Sequence, residues 1–442
     1  MKNLLYVLLA CVCVLCSCSS STQQSGKNVK YKSYEGLVMA GYQGWFTAEG
    51  DETNRGWSQY GLKGDTAAGV DFWPDMKEYT KKYLTPFKMG DGSDSYLYSA
   101  YDEESVDLHF KWMKEYGIDG VFMCRFVGAT IDADAKRHFN KVLENALKAA
   151  RKYDRAISLM YDLSGCSPED MAVMEADWRE LLNLFDLINP EKHPTYLHHN
   201  GHPLLGIWGV GFCDNRRYSV DDALQAIARI KNEHSVSIML GVPFFWRTLD
   251  GDTEDDPLLH TLIKEYVDIV MPWAVGRYNN DNYDAIEKGL SEDFKWCQDN
   301  KALFVPLVYP GFSWANLKPG LYFQTSHLKG DLFWLNVFKN PEIYDQIPRL
   351  KGDFFWKQVA GAKKAGASSL FIAMFDEVNE GTAIFKCAEE GQVPIFGKEG
   401  PKNRFVGIEA GLGSDYYLWL AGEAGRWMRG ESGYNAIKPV RK

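Results

Sequence analysis

Ser368-Ser-Leu-Phe-Ile-Ala-Met-Phe375 turns apolar at Leu370 and runs directly into Asp376-Glu-Val-Asn-Glu380. It is too short for a helix and apolar at consecutive rather than alternate positions, which is the pattern of a parallel-sheet strand covered on both faces. Working outward, runs of the same kind recur at Gly36–Gly41, Gly120–Phe126, Ala156–Tyr161, Pro203–Trp208, Ser237–Pro243, Asp268–Trp273 and Leu303–Tyr309. Amphipathic segments separate them. In Asp134–Tyr153, Phe139, Val142, Leu143, Ala146, Leu147 and Ala150 fall on one helical face. Val106, Phe110 and Met113 mark a second helix, Ala223, Leu224, Ile227 and Ile230 a third, and Asp415–Gly430 the last. Eight strands alternating with helices predict an α/β fold, a single (β/α)8 TIM barrel.

Two connections are far longer than usual, Gln43–Tyr101 after the first strand and Pro310–Leu350 after the seventh. Both leave C-terminal strand ends, the face on which barrel enzymes keep their sites, and both are expected to wall a cleft.

The N-terminus reads as an export signal. Lys2 precedes an apolar run from Leu4 to Leu15, which ends in Leu15-Cys16-Ser17 before Cys18. Leu-x-Ser-Cys resembles the lipobox of bacterial lipoproteins, in which the Cys, here Cys18, is acylated and becomes the mature N-terminus. Residues 1–17 are then a lipoprotein signal peptide and 18–30 a flexible tether rich in Ser, Gln, Gly and Lys. Residues 31–442 form one domain, since no second linker or repeat interrupts them. The expected location is the cell envelope, with membrane contact through the lipid alone, because the apolar run is shorter than the roughly 18 residues a span requires.

A formal charge of −10 and the lack of a dense basic patch argue against a nucleic-acid partner. Four cysteines belong to the signal and lipobox. The other five, Cys124, Cys166, Cys213, Cys297 and Cys387, are widely spaced and odd in number, so neither a disulfide framework nor a metal motif is visible, and buried free thiols are expected. With 14 Trp and 24 Tyr the chain is rich in flat amphipathic rings, which suit stacking on sugars as well as filling a core. A monomer without cofactor or metal is expected.

If the barrel is right, chemistry belongs at the strand ends. These supply Tyr42, Gln43 and Trp45, then Arg125, then Tyr161 and Asp162, then Trp208, then Trp246 and Arg247, then Trp273 and Arg277, then Tyr309, Phe312 and Trp314, and finally Asp376, Glu377 and Glu380. Three carboxylates within five residues raise one another's pKa, so that one can hold a proton while another stays ionised. Glycoside cleavage asks for that division of labour. The competing reading is an acidic turn that caps a helix or pairs with Arg125, Arg247 or Arg277. Arg125 could equally bind a substrate oxygen or neutralise the acidic centre, and Asp162 reads as an acid/base partner or, more simply, a helix cap. Trp45, Trp246, Trp273 and Trp314 are sugar platforms or loop packing. His198, His199 and His202 precede the fourth strand, at the far end of the barrel, and read as a solvated turn.

Four stretches, Met39-Ala-Gly-Tyr-Gln-Gly-Trp-Phe46, Val106-Asp-Leu-His-Phe-Lys-Trp-Met113, Ile207-Trp-Gly-Val-Gly-Phe212 and Ala373-Met-Phe-Asp-Glu-Val-Asn-Glu-Gly-Thr-Ala-Ile384, resemble bacterial proteins of the glycoside hydrolase family 71/99 type, often labelled xylosidase/arabinosidase. Family 99 endo-α-mannosidases carry a Glu-x-x-Glu pair before Gly-Thr, the frame of Glu377, Glu380, Gly381 and Thr382. The resemblance implies an oligo- or polysaccharide substrate, possible α-mannoside or α-glucan specificity, and retention without an enzyme nucleophile. Glu377 would take a proton from the sugar's own 2-hydroxyl, and Glu380 would protonate the leaving oxygen. Asp376 stands where family 99 has Asn, and Val378 and Asn379 where it has Trp and His. A carbohydrate-binding lipoprotein that keeps the aromatic platforms without turnover is the alternative from another class.

Overall fold

The computed structural model describes residues 28–317, 346–397 and 404–441. The signal segment, Cys18 and most of the tether lie outside the described residues.

Each apolar run is a parallel strand: β1 (Val38–Tyr42), β2 (Gly120–Phe126), β3 (Ala156–Asp162), β4 (His202–Trp208), β5 (Ser237–Val242), β6 (Ile269–Pro272), β7 in two halves (Leu303–Phe304 and Leu307–Val308) and β8 (Leu370–Ile372). A helix follows each strand: α1 (Glu103–Tyr116), α2 (Ala133–Tyr153), α3 (Asp170–Phe185), α4 (Val220–His234), α5 (Leu258–Tyr266), α6 (Tyr283–Asp299), α7 (Asp353–Ala365) and α8 (Tyr416–Met428). β1 pairs with both β2 and β8. The seventh run is the joint of the ring, since its first half pairs with β6 and its second with β8. Pro306 lies between the halves; it has no N–H to give, but its carbonyl accepts from Phe371 N at 3.1 Å. The fold is the expected (β/α)8 barrel.

Strand periodicity sorts the core into two layers. Val121, Leu159, Tyr161, Leu205, Ile207, Leu240 and Val270 point outward into the layer beneath the helices. Met39, Phe122, Cys124, Met160, Met239, Met271 and Phe371 fill the barrel interior. Local signals agree with the packing. Asp132 caps α2 by accepting from Ala135 N at 2.8 Å, and Ser219 and Asp222 form a reciprocal capping box on α4, each cap contributing about 1 kcal/mol.

Both long connections carry structure. The one after β1 holds an antiparallel hairpin, Tyr83–Met89 with Asp94–Leu97, joined by Pro394–Ile395. In the one after β7, Phe312–Ser313 pairs with Gln346–Ile347. The histidines before β4 are not a solvated turn. His198 and His199 are buried, pair with the start of β4, and place their Nδ1 atoms against Tyr196 O (3.0 Å) and Ser33 Oγ (3.2 Å); His202 alone is exposed. Cys124, Cys166, Cys297 and Cys387 are buried free thiols, and Cys213 is half-buried and free. Among the described residues no helix is long and apolar enough to cross a membrane.

Candidate active site

The same two-residue period decides which strand-end side chains enter the barrel mouth. Phe126, Asp162, Trp208 and Trp273 continue the inward series, and the three aromatics among them pack on the interior cluster. Their neighbours Arg125 and Tyr161 point the other way. Arg125 makes a two-pronged ion pair with Asp177 of α3, Nε to Oδ2 at 2.5 Å and Nη2 to Oδ1 at 2.7 Å, while Tyr161 OH donates to the same Oδ2 at 2.7 Å. Both are fully buried between sheet and helices, and the structure removes them from the site.

Other expected site residues also serve the outer layers. Tyr42 faces α1, its OH 2.8 Å from His109 Nδ1, and burial pushes that imidazole down to about 3, which keeps it neutral. Trp246 is fully buried, edge-on to Trp296 at 4.8 Å. Arg247 pairs with Glu292 and Asp293 of α6 at 2.6 and 2.7 Å. Arg277 ties the loop after β6 to Asp252 at 2.5 Å, and Asp252 in turn caps Phe244 N and Phe245 N. Tyr309 is buried, donating its OH to Tyr278 O at 2.5 Å, with its backbone clasped by Gln358 of α7. Position near a strand end does not reveal direction: for Trp246 the packing alternative holds, and Tyr42, Arg247, Arg277 and Tyr309 hold the outer layers and loops together.

Glu377 lies at the centre of what remains. It is 4% exposed, and its backbone carbonyl accepts from Thr382 N and Ala383 N (3.2 and 3.0 Å), closing a tight turn beyond β8. Burial holds its carboxyl well above the usual carboxylate range. The charges of Glu380, Asp376 and Asp162 push the same way, and a hydrogen bond from the Gln43 side chain opposes them. Glu380 is half-buried, and its carbonyl accepts from Ser313 N at 2.8 Å.

The third carboxylate of the motif has a different task. Asp376 is fully buried, and its oxygens accept from Gln43 N (2.8 Å) and Gly44 N (2.9 Å). Burial pushes it up to about 6. It fastens the loop after β1 to the end of β8, and so sets Gln43 beside Glu377. Asp162 is also raised to about 6 by burial, against a 2.7 Å hydrogen bond from Ser164 N.

Aromatic rings wall the mouth. Trp45 stacks on Phe126 (5.1 Å, 23°), Trp208 meets Trp273 edge-on (5.2 Å, 72°), and Phe312 meets Trp314 (4.9 Å). Gly241 of β5 is what lets the Trp208 ring lie where it does, since a Cβ there would sit 2.3 Å from Trp208 Cδ1. The half-buried Arg216 guanidinium covers Trp208 and Phe212 at 5.3 and 5.1 Å and pairs with Asp214 at 2.8 Å. Phe126 and Arg216 were missed in the sequence. The alternation Phe122, Cys124, Phe126 could have exposed the first, whereas nothing local marks the second. Among the described residues no group of three or more His, Cys, Asp or Glu could hold a metal ion.

No protein-family model matches the sequence, and no curated protein does. Among solved structures the chain is similar to the GH99 endo-alpha-mannosidase from Bacteroides thetaiotaomicron, with a TM-score of 0.59 and 14% identity over 90% of this chain and 98% of that one. A second structure of that enzyme, in complex with BIS-TRIS-Propane, gives a TM-score of 0.58 at the same identity and coverage. The likeness spans nearly the whole of both chains and is one of fold.

Proposed function

We propose that this protein is a glycoside hydrolase that cleaves an oligo- or polysaccharide with the pair Glu377 and Glu380. The observation that carries the reading is Glu377 itself, a buried carboxyl at the barrel mouth, raised by desolvation and by a second glutamate three residues on. A carboxylate with a raised pKa is a stronger base than an ordinary one, and the second glutamate three residues on offers the acid that the leaving oxygen needs. The productive form is the one with Glu377 ionised and Glu380 protonated. Glu377 then takes the proton of the sugar's 2-hydroxyl, the freed oxygen attacks the anomeric carbon, and the glycosidic bond breaks as Glu380 delivers its proton to the leaving oxygen. Water, activated by Glu380, opens the anhydro sugar at the anomeric carbon while Glu377 returns its proton to the 2-oxygen. Trp45 with Phe126, and Trp208 with Trp273, offer the flat apolar faces on which sugar rings stack.

The test is a panel of α-mannans, α-1,3-glucans, xylans and arabinans, with Glu377→Gln and Glu380→Gln beside the parent. Each variant should lose roughly 10²–10⁴-fold in kcat on the saccharide that the parent cleaves. Turnover retained in both variants overturns the assignment, and binding without turnover by the parent points instead to a carbohydrate-binding protein. Attachment to the envelope through Cys18 is part of the same proposal. It predicts incorporation of labelled fatty acid into the parent and none into Cys18→Ala.

A further inference from the structure

We propose that Asp71, far from the pair in sequence, is a positioning residue for Glu380, clamping the Val378–Glu380 turn from both ends; the inference rests on the role given to Glu380 above. Asp71 lies in the long connection after β1 and is fully buried. Its N–H and that of Phe72 both reach Val378 O at 3.3 Å, at the start of the turn. Its carboxylate accepts from Ser313 Oγ, from Ala315 N at 2.9 Å and from Asn316 N at 2.8 Å, so it organises the loop after β7. Ser313 N in turn donates to Glu380 O at 2.8 Å. Ser313 is pressed against the turn, since a Cβ on Gly381, which has φ +65°, would sit 2.7 Å from Ser313 N. Arg349 holds the far side independently through Gly381 O and Ala383 O at 2.9 and 2.7 Å. Two long connections that share no strand thus meet on one carboxylate, whose two links set where the Glu380 side chain starts relative to Glu377.

An aspartate suits this place because it is acceptor-only and three donors converge on it. In Asp71→Asn the amide NH2 must face either Ala315 N or Asn316 N, so a donor meets a donor and the loop that carries Ser313 loses one of the bonds holding it against the turn. Misplacing a reacting group by about 1 Å costs on the order of 10²-fold in rate.

The experiment compares full-length parent, Asp71→Asn, Ser313→Ala and Glu380→Gln on a saccharide that the parent cleaves and on the 2,4-dinitrophenyl glycoside of the same sugar, whose leaving group departs without a proton. If Asp71 positions the acid, kcat on the saccharide falls about 30- to 100-fold in Asp71→Asn and about 10-fold in Ser313→Ala with KM little changed, while the dinitrophenyl substrate loses at least tenfold less. Equal losses on both substrates, or parental kcat in both variants, overturn it.

A second readout does not depend on turnover. The groups that act on Glu377 among the described residues include Glu380, Asp376, Asp162, the Cys124 thiol and the amide of Gln43, with Thr382 Oγ1 at 3.5 Å. Ser313→Ala removes no charge from that set. Carbon-13 titration of Glu377 should therefore show its pKa falling toward the ordinary value as the pair drifts apart, and an unchanged titration overturns the clamp. A moved titration in a protein that cleaves nothing would leave the clamp standing and overturn the proposed function. Ser313→Ala also serves should Asp71→Asn fail to fold.

Discussion

Gln43 meets two carboxylates with one residue: its backbone N–H binds Asp376 at 2.8 Å and its side chain binds Glu377. A hydrogen bond to the ionised form of an acid lowers its pKa, so Gln43 restrains the rise that burial and Glu380 impose on Glu377. Removing it in Gln43→Ala raises the Glu377 pKa further. If Glu377 works ionised, the acid limb of kcat/KM moves to higher pH by up to about one unit, a free-energy cost of about 1.4 kcal/mol below that limb. A pH profile of Gln43→Ala that overlays the parent's would break the link. Gln43 and Glu377 were both legible in the sequence as polar residues directly beyond apolar runs, although the same rule also drew in Arg247 and Arg277, which pair with Asp293 and Asp252 instead. Arg125 was misread and Phe126 overlooked for a single reason: within a strand the direction alternates, and chemical attractiveness drew attention to the wrong parity.

At the level of elements, the residues taken from the site become the fastening between layers. Arg125 and Asp177 join β2 to α3 where both are almost wholly buried, with Tyr161 of β3 on the same oxygen. Breaking such a pair strands a buried charge. Arg125→Met alone should therefore cost about 3–5 kcal/mol, whereas replacing both partners in Arg125→Met/Asp177→Leu should recover most of that loss. Denaturant unfolding of the two variants and the parent reads this directly. The double variant, once folded, should keep kcat within about threefold, which a substrate-binding Arg125 would not allow. Helices and strands were visible in advance because continuous apolar runs and the stripe of α2 report burial on known faces. The hairpin within the connection after β1 was not, since Tyr83–Met89 alternates buried and exposed positions and pairs with Pro394–Ile395 across most of the chain.

Across the whole molecule, the fold sustains carboxyl groups that it would rather keep protonated. Asp162 and Asp376 are each raised from 3.8 to about 6 by burial, so the folded state binds more protons than the unfolded chain between about pH 4 and 6. Their contribution is fully present below the unfolded pKa and is lost as pH rises through the folded one. Asp415 works in reverse: the Arg441 hydrogen bonds pull it down to about 2, and the stability it adds above pH 4 disappears as the pH falls toward 2. The molecule should therefore be most resistant to unfolding in mildly acidic solution. Asp162→Asn separates this from general acid tolerance, because the amide cannot ionise and burying it carries no charge penalty. Its melting temperature should exceed the parent's by roughly 2 °C at pH 7.5 and converge with it near pH 4. A constant offset at every pH would mean that Asp162 is no more buried as an anion in the folded protein than in the unfolded chain, and would overturn the burial-raised pKa.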